Sequence, residues 1–225
     1  MGRYVQKANG KGSLKNIQVL INKHPKLLTQ RIQEAVGQSF EIEWLSPKQD
    51  DGFAEYRDVA FLKMLGCYPL RVPLEHFWPA RGPQWDGLGR SEKSVFLVEA
   101  KANIPELLSS PMKAKDDRSV RLIRKSLEET KRFVYSRSTA DWSKAFYQYT
   151  NRLAHLYYLT HLNGISAYLI CLYFTGDASV DGHPTTRDEW RGAVRLMKEF
   201  LGIGKGNRLS PFTVDIYIDV SEIGC

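Results

Sequence analysis

Apolar residues recur along this chain in two patterns, at helical spacing or in alternation, and the order of the two predicts its elements. Leu14, Ile17, Leu20 and Ile21 fall on one face of a short helix that Ser13 can cap. Pro25 is placed to open a second helix, with Leu28, Ile32, Ala35 and Val36 as its stripe and Gly37 as its stop. Phe40, Ile42 and Trp44 alternate with Glu41 and Glu43, which predicts a short strand or extended connector. Phe53, Tyr56, Ala60 and Met64 predict a helix over 53–65, started by Asp50 or Asp51 and ended by Gly66. Leu70, Val72 and Leu74 then alternate with Arg71, Pro73 and Glu75, predicting a strand over 68–77 that Pro73 pushes toward a sheet edge or a bulge.

Residues 84–88 and 94–101 are extended stretches around a polar, glycine-containing turn, a hairpin pattern. Two long helices follow. Over 118–135, Val120, Ile123, Leu127 and Val134 gather on one face, and Arg118, Arg121, Lys125 and Arg132 on the opposite one. Over 141–162, Trp142, Phe146, Tyr149, Leu153 and Tyr157 form the inward stripe, while Lys144, Gln148, Asn151, Arg152 and His155 form the other face. Ile165 to Phe174 is a continuous apolar run between Gly164 and Gly176, as a strand covered on both faces requires. A Thr186 and Glu189 capping box opens a last helix with Trp190, Ala193, Val194, Met197 and Leu201 inward and Gly202 as its stop; Val214, Ile216 and Ile218 alternate into a closing strand. This order predicts an α/β chain in one domain over 1–225, with peripheral helices over 1–40, a core over 51–175, and a C-terminal helix and strand over 176–225. The antiparallel hairpin argues against a purely parallel sheet.

Composition narrows the picture modestly. A length of 225 residues with 43% apolar and 12% aromatic positions supports a packed core and excludes wholesale disorder. Ile165 to Phe174 falls far short of the ~20 residues a membrane-crossing helix needs, so no membrane association is expected. The polar, glycine-rich first residues do not read as a secretory signal. Three cysteines rule out a full intramolecular disulfide framework, and Cys67 and Cys171 sit among apolar neighbours, so a reducing, cytoplasmic setting is expected. The surplus of 32 basic over 25 acidic residues, +7, is compatible with a polyanionic partner without requiring one. His24, His76, His161 and His183 show no zinc-ligand spacing with the cysteines. Gly202-Ile203-Gly204-Lys205-Gly206 follows a helix instead of opening one, which argues against a phosphate loop.

The chemistry concentrates in Pro83-Gln84-Trp85-Asp86-Gly87 and Glu99-Ala100-Lys101. In an extended strand Glu99 and Lys101 share a face. A hairpin centred between Glu92 and Lys93 sets position 86 opposite 99, and such partners have Cβ atoms only ~4.5–5.5 Å apart. Two carboxylates so close repel unless a cation sits between them. A hard ion such as Mg2+ or Mn2+ suits them, with the Ala100 carbonyl as a further oxygen. Lys101 beside that ion becomes useful when an anionic phosphate and an attacking water arrive, which points to phosphodiester hydrolysis.

These residues resemble the PD-(D/E)xK nuclease superfamily, whose restriction-endonuclease-like fold sets the motif Asp on one strand and the Glu-x-Lys on the next. Asp86 matches the Asp, and Glu99-Ala100-Lys101 the Glu-x-Lys. Glu55, in the predicted helix before the hairpin, matches the acidic residue some members use as an extra metal ligand or as a group that supports the ligands from behind. The helix over 141–162 matches one whose polar face borders the active site, which carries over Gln148, with Asn151 and Arg152 beside it. Trp85 precedes Asp86 where many members have Pro, and Arg152 stands where the RecB-like branch has Tyr. The resemblance covers about 51–175 and implies a central mixed sheet flanked by helices, catalytic Asp86, Glu99, Lys101, Glu55 and Gln148, and metal held by Asp86, Glu99, Ala100 and Glu55. It further implies nucleic acid as partner, DNA favoured, contacted by Arg118, Arg121, Lys125, Arg132, Asn151 and Arg152, with a homodimer where both strands of a duplex are cut. A Glu-x-Lys alone also fits a surface ion pair, and a noncatalytic nucleic-acid-binding or protein-interaction member of the same fold stays open as the alternative.

Overall fold

Apolar residues on both sides of the central strands demand cover on both faces, and the helices supply it. In chain order the computed structural model, which describes residues 2–8, 10–180 and 182–224, runs β1 (Arg3–Tyr4), α1 (Gly12–Lys23), α2 (Pro25–Val36), β2 (Glu43–Ser46), β3 (Glu55–Tyr56), α3 (Asp58–Leu65), β4 (Gly87–Arg90), β5 (Val95–Lys101), α4 (Ile104–Leu107), α5 (Asp117–Phe133), α6 (Tyr147–Tyr157), β6 (Ala167–Thr175), α7 (Arg187–Phe200) and β7 (Thr213–Asp219). Five strands form a mixed sheet in the order β2-β4-β5-β6-β7, antiparallel from β2 to β5 and parallel from β5 to β7; β1 and β3 form a separate antiparallel pair.

On one face Phe96, Val98 and Ala100 of β5 and Ile170 and Leu172 of β6 pack under α1 and α2 through Ile17, Leu20, Ile21, Leu28 and Ile32. On the other, Val95, Leu97, Leu169, Cys171 and Tyr173 pack under α3, α5, α6 and α7, which contribute Phe61, Leu127, Leu153 and Trp190. Strand alternation places Glu99 and Lys101 in the row of Val95 and Leu97, on this second face. Among the described residues no helix is long and apolar enough to cross a membrane. Cys67 and Cys171 are buried free thiols, and Cys225 lies outside the described residues.

Several elements form for the predicted reasons. Pro25 opens α2, and Gly37 closes it at φ 72°. Thr186 and Glu189 make the reciprocal capping box of α7. Every residue of β6 is buried.

Four expectations are corrected. Lys11, not Ser13, is the N-cap of α1, and no side chain caps it. The helix expected over 53–65 starts only at Asp58, because Gly52 and Phe53 turn the chain at φ 62° and 51° and Glu55 and Tyr56 pair with β1. Asp51 is engaged by Arg3 and the Tyr56 hydroxyl instead of capping. No strand forms over 68–77: Pro69 and Pro73 bring no N–H to a ladder, the Val72 N–H goes to Asn163 Oδ1 at 3.0 Å, and the segment ends in a 3-10 turn, Leu74–His76. The helix expected from 141 begins at Tyr147, since Asp141 captures the Ser143 N–H and hydroxyl at 2.9 and 2.6 Å and Phe146 adopts φ 60°. It continues past Tyr157 as a π-turn, Tyr158–Leu162.

Candidate functional site

The register of the hairpin, Gly87 to Val98 and Leu88 to Leu97, puts Asp86 opposite Glu99 one step past the end of β4. Gly87 lets α1 press against this end, because a Cβ there would meet Ile21 Cδ1 at 3.1 Å and Val98 Cβ at 3.2 Å. Asp86 Oδ2 accepts the Ala100 N–H at 2.7 Å, so the side chain takes the place of a ladder bond and is fixed to β5 beside Glu99. Within a strand the N–H and C=O of one residue point to the same edge, so the Ala100 carbonyl lies on the Asp86 side.

Glu99 is doubly paired. Its Oε2 accepts from Arg152 Nε at 2.6 Å, and its Oε1 from the Lys101 ammonium. Arg152 spends its other nitrogens on Asn151 Oδ1 and the Gln84 carbonyl, both at 2.7 Å, and lies 5.0 Å over the Trp85 ring. Gln84 Nε2 in turn donates to Glu55 Oε2. A continuous polar chain therefore joins Glu55 to Glu99 through Gln84 and Arg152. Trp85 is fully buried and bridged to Tyr56.

Burial sets the electrostatics. It pushes the Asp86 carboxyl well above the usual carboxylate range, with repulsion from Glu99 adding to it. Burial likewise raises Glu55, against the Gln84 hydrogen bond. Burial would raise Glu99 too, but Arg152 and Lys101 outweigh it and hold Glu99 below its ordinary value. For Lys101, burial favours the neutral amine, and the attraction of Glu99 and then Asp86 overcomes it, raising the ammonium pKa.

These groups floor a cleft of about 1150 Å³. Asp86, Glu99, Ala100, Lys101, Glu55, Gln148, Asn151 and Arg152 all line it, so every expected residue of the hairpin, Glu55 and α6 is brought to one place. Glu55 arrives from a two-residue strand, not from a helix. The polar face of α6 is not solvated: Asn151, Arg152 and His155 are buried. His155 sits among Phe61, Phe77, Trp78 and Trp85 with Nδ1 2.8 Å from the Asn151 carbonyl, and burial lowers its pKa to about 3. It is a neutral packing residue. Arg118, Arg121, Lys125 and Arg132 do not line the cleft; α5 turns Ser119 and Ile123 toward it instead. The basic residues that line it besides Lys101 and Arg152, namely Arg81, Lys113 and Lys115, lie in irregular segments without periodicity, and Gln84 is recognisable in the sequence only as a neighbour of Asp86.

Comparison with protein-family models, curated proteins and solved structures gives no match. What the site can do follows from its own donors. Asp86, the Ala100 carbonyl and Glu99 form an oxygen set, and each Glu99 oxygen keeps a second lone pair beyond its ion pair. Among the described residues no three His, Cys, Asp or Glu side chains converge as a complete metal cage. Two carboxylates and a carbonyl suffice for a hard ion that keeps waters and takes substrate phosphate as ligand.

The raised Asp86 pKa has a consequence for stability. As pH climbs from the unfolded carboxylate range toward the folded value, the folded chain keeps a proton that the unfolded chain has released, so stability falls. Asn at 86 keeps an acceptor for the Ala100 N–H and removes the charge. In metal-free buffer at pH 7, Asp86→Asn is expected to raise Tm by about 2–4 °C, roughly 1 kcal/mol, with the gain shrinking toward pH 4. Scanning calorimetry checks this, and a lowered Tm would refute it.

Proposed function

We propose that this chain is a metal-dependent nuclease with a restriction-endonuclease-like core, hydrolysing phosphodiester bonds of nucleic acid, DNA favoured. The observation that carries the reading is the hairpin register that sets Asp86 against Glu99 and Ala100, with Lys101 on the same face as Glu99. The oxygen set fits Mg2+ or Mn2+, held by Asp86, Glu99 and the Ala100 carbonyl, with Glu55 available to a second ion. When bound, such an ion polarises the phosphoryl oxygens and sharpens water as a nucleophile.

The chain's own groups do the rest. Lys101 holds the attacking water and meets negative charge developing on the phosphoryl oxygens. Arg152 keeps Glu99 ionised and oriented, and Gln148 presents its amide to the phosphate from the α6 wall. Arg118, Arg121, Lys125 and Arg132 are assigned no part in the chemistry; they offer a separate basic surface to a long polyanion. A soluble cytoplasmic enzyme, dimeric where both duplex strands are cut, completes the proposal.

A second reading, a noncatalytic nucleic-acid-binding protein, is favoured by the double ion pairing of Glu99. One experiment separates the two. Labelled DNA and RNA are incubated with the protein in Mg2+, Mn2+ or EDTA, beside Asp86→Ala and Lys101→Ala. Cleavage that needs the metal and disappears in both variants is the expected result. Activity surviving both substitutions overturns the assigned roles, and salt-sensitive binding without cleavage selects the second reading.

A further inference from the structure

Glu99 and Lys101 are almost wholly buried, at 7% and 9% exposure, so a phosphate reaches them only by descending between the walls of the cleft. One wall is the loop 78–84, which carries the exposed Arg81. The other is the irregular segment 108–116, tied down where the Gln148 N–H meets Ser109 Oγ at 2.8 Å and the Met112 N–H meets the Ser143 carbonyl at 2.9 Å. Met112 and Ala114 pack on the core, while Lys113 and Lys115 border the cleft.

The cations of the floor and of the walls differ in kind. Lys101 and Arg152 are both paired with Glu99. Among the described residues the side chains of Arg81, Lys113 and Lys115 take part in no ion pair, and they border the cleft beside the acidic Glu106 and Asp116. The whole cleft, about 1150 Å³, is only slightly above the ~300–1,000 Å³ of sites that enclose a drug-sized ligand. It holds a few nucleotides of one strand. A single strand can bend so that a phosphate reaches groups only 7% and 9% exposed, and a charged groove tracks its backbone, a freedom that a stacked and paired duplex lacks. Leu108, 63% exposed at the same cleft, offers a base an apolar surface.

We infer that the cleft takes single-stranded nucleic acid, an unpaired stretch or a strand end, with Arg81 on one wall and Lys113 and Lys115 on the other holding its phosphates. This rests on the phosphodiester reading of the floor but is tested apart from it, by binding. A fluorescein-labelled single-stranded 20-mer is titrated beside a labelled, relaxed, covalently closed circular duplex, which has neither unpaired bases nor strand ends, with wild-type protein in EDTA and with Asp86→Asn. The single strand is expected to bind at least tenfold tighter. Lys113→Gln/Lys115→Gln is expected to weaken strand binding and flatten the dependence of log K on log salt by about 1.4, ~0.7 for each phosphate no longer neutralised. Equal or tighter binding of the closed duplex, no binding of either, or a double variant with unchanged affinity and slope overturns the inference. The same two substrates are then given to wild type with Mg2+ or Mn2+. Cleavage of both at equal rates leaves the nuclease standing and removes the strand preference; strand-selective binding with neither substrate cut removes the nuclease and leaves the preference.

Discussion

Lys101→Met is expected to lower the metal-dependent cleavage rate of the proposed nuclease by about 10²–10³-fold, the loss typical when one donor to a developing anion is removed, with KM changed little. Met keeps the unbranched stem that packs at the end of β5 and deletes only the ammonium. That ammonium is fixed to Glu99 at the floor of the cleft, and the two carboxylates across the hairpin hold it charged despite burial. A lysine whose pKa is raised cannot serve as a base near neutrality. The metal-free site thus favours a fixed cation, and on the proposed reading the wild-type pH–rate profile is expected to show no limb from Lys101 deprotonation near neutral pH. The measurement is single-turnover cleavage by wild type and Lys101→Met across pH 6–9. An unchanged rate constant in the variant removes Lys101 from the chemistry, and a KM effect alone reduces it to a binding charge.

The site is legible in the chain wherever local geometry suffices to build it. Period-two alternation and one short turn fix which residues of 86–101 face each other, so Asp86, Glu99 and Lys101 emerge without any long-range information. Glu55 emerges as an acidic residue but on the wrong element, because its strand exists only through pairing with Arg3 and Tyr4, more than fifty positions away, and through the Tyr56 to Trp85 bridge. The amphipathic pattern of 141–162 correctly marks the apolar stripe. It cannot show that the opposite face also meets a partner: Arg152 is buried because Glu99 comes to it from a distant strand and Trp85 lies beneath it. Helical charge patterning likewise separates the two faces of α5 without telling which way the basic one looks. The walls of the cleft follow no period at all, so Arg81, Lys113 and Lys115 leave no signal beside the regular basic stripe of α5, whose Arg118, Arg121, Lys125 and Arg132 line no part of the cleft.

Glu99→Ala is expected to cost about 3–5 kcal/mol of stability, a fall in Tm on the order of 10 °C, in metal-free protein at neutral pH. The two carboxylates facing each other across the hairpin thus carry opposite signs, since Asp86→Asn is expected to stabilise. The reason is what each one neutralises. Asp86 is a buried carboxyl with a hydrogen bond from a backbone amide, its pKa raised by desolvation and by its neighbour Glu99. Glu99 compensates two buried cations, Arg152 and Lys101, and its loss strands both in a site with little water. Because Glu99 is held below its ordinary pKa, the stability it supplies is present above the unfolded carboxylate value and is lost as pH falls through the folded one. The deficit of Glu99→Ala should therefore be full at pH 7 and narrow in acid. Adding Arg152→Met should recover part of it, since an apolar side chain of similar length removes one of the two stranded charges. Urea unfolding of wild type, both single variants and the double variant at pH 7 and pH 3 measures the cycle. Additive losses with no recovery would mean that the Glu99–Arg152 pair does not hold the floor of the cleft together.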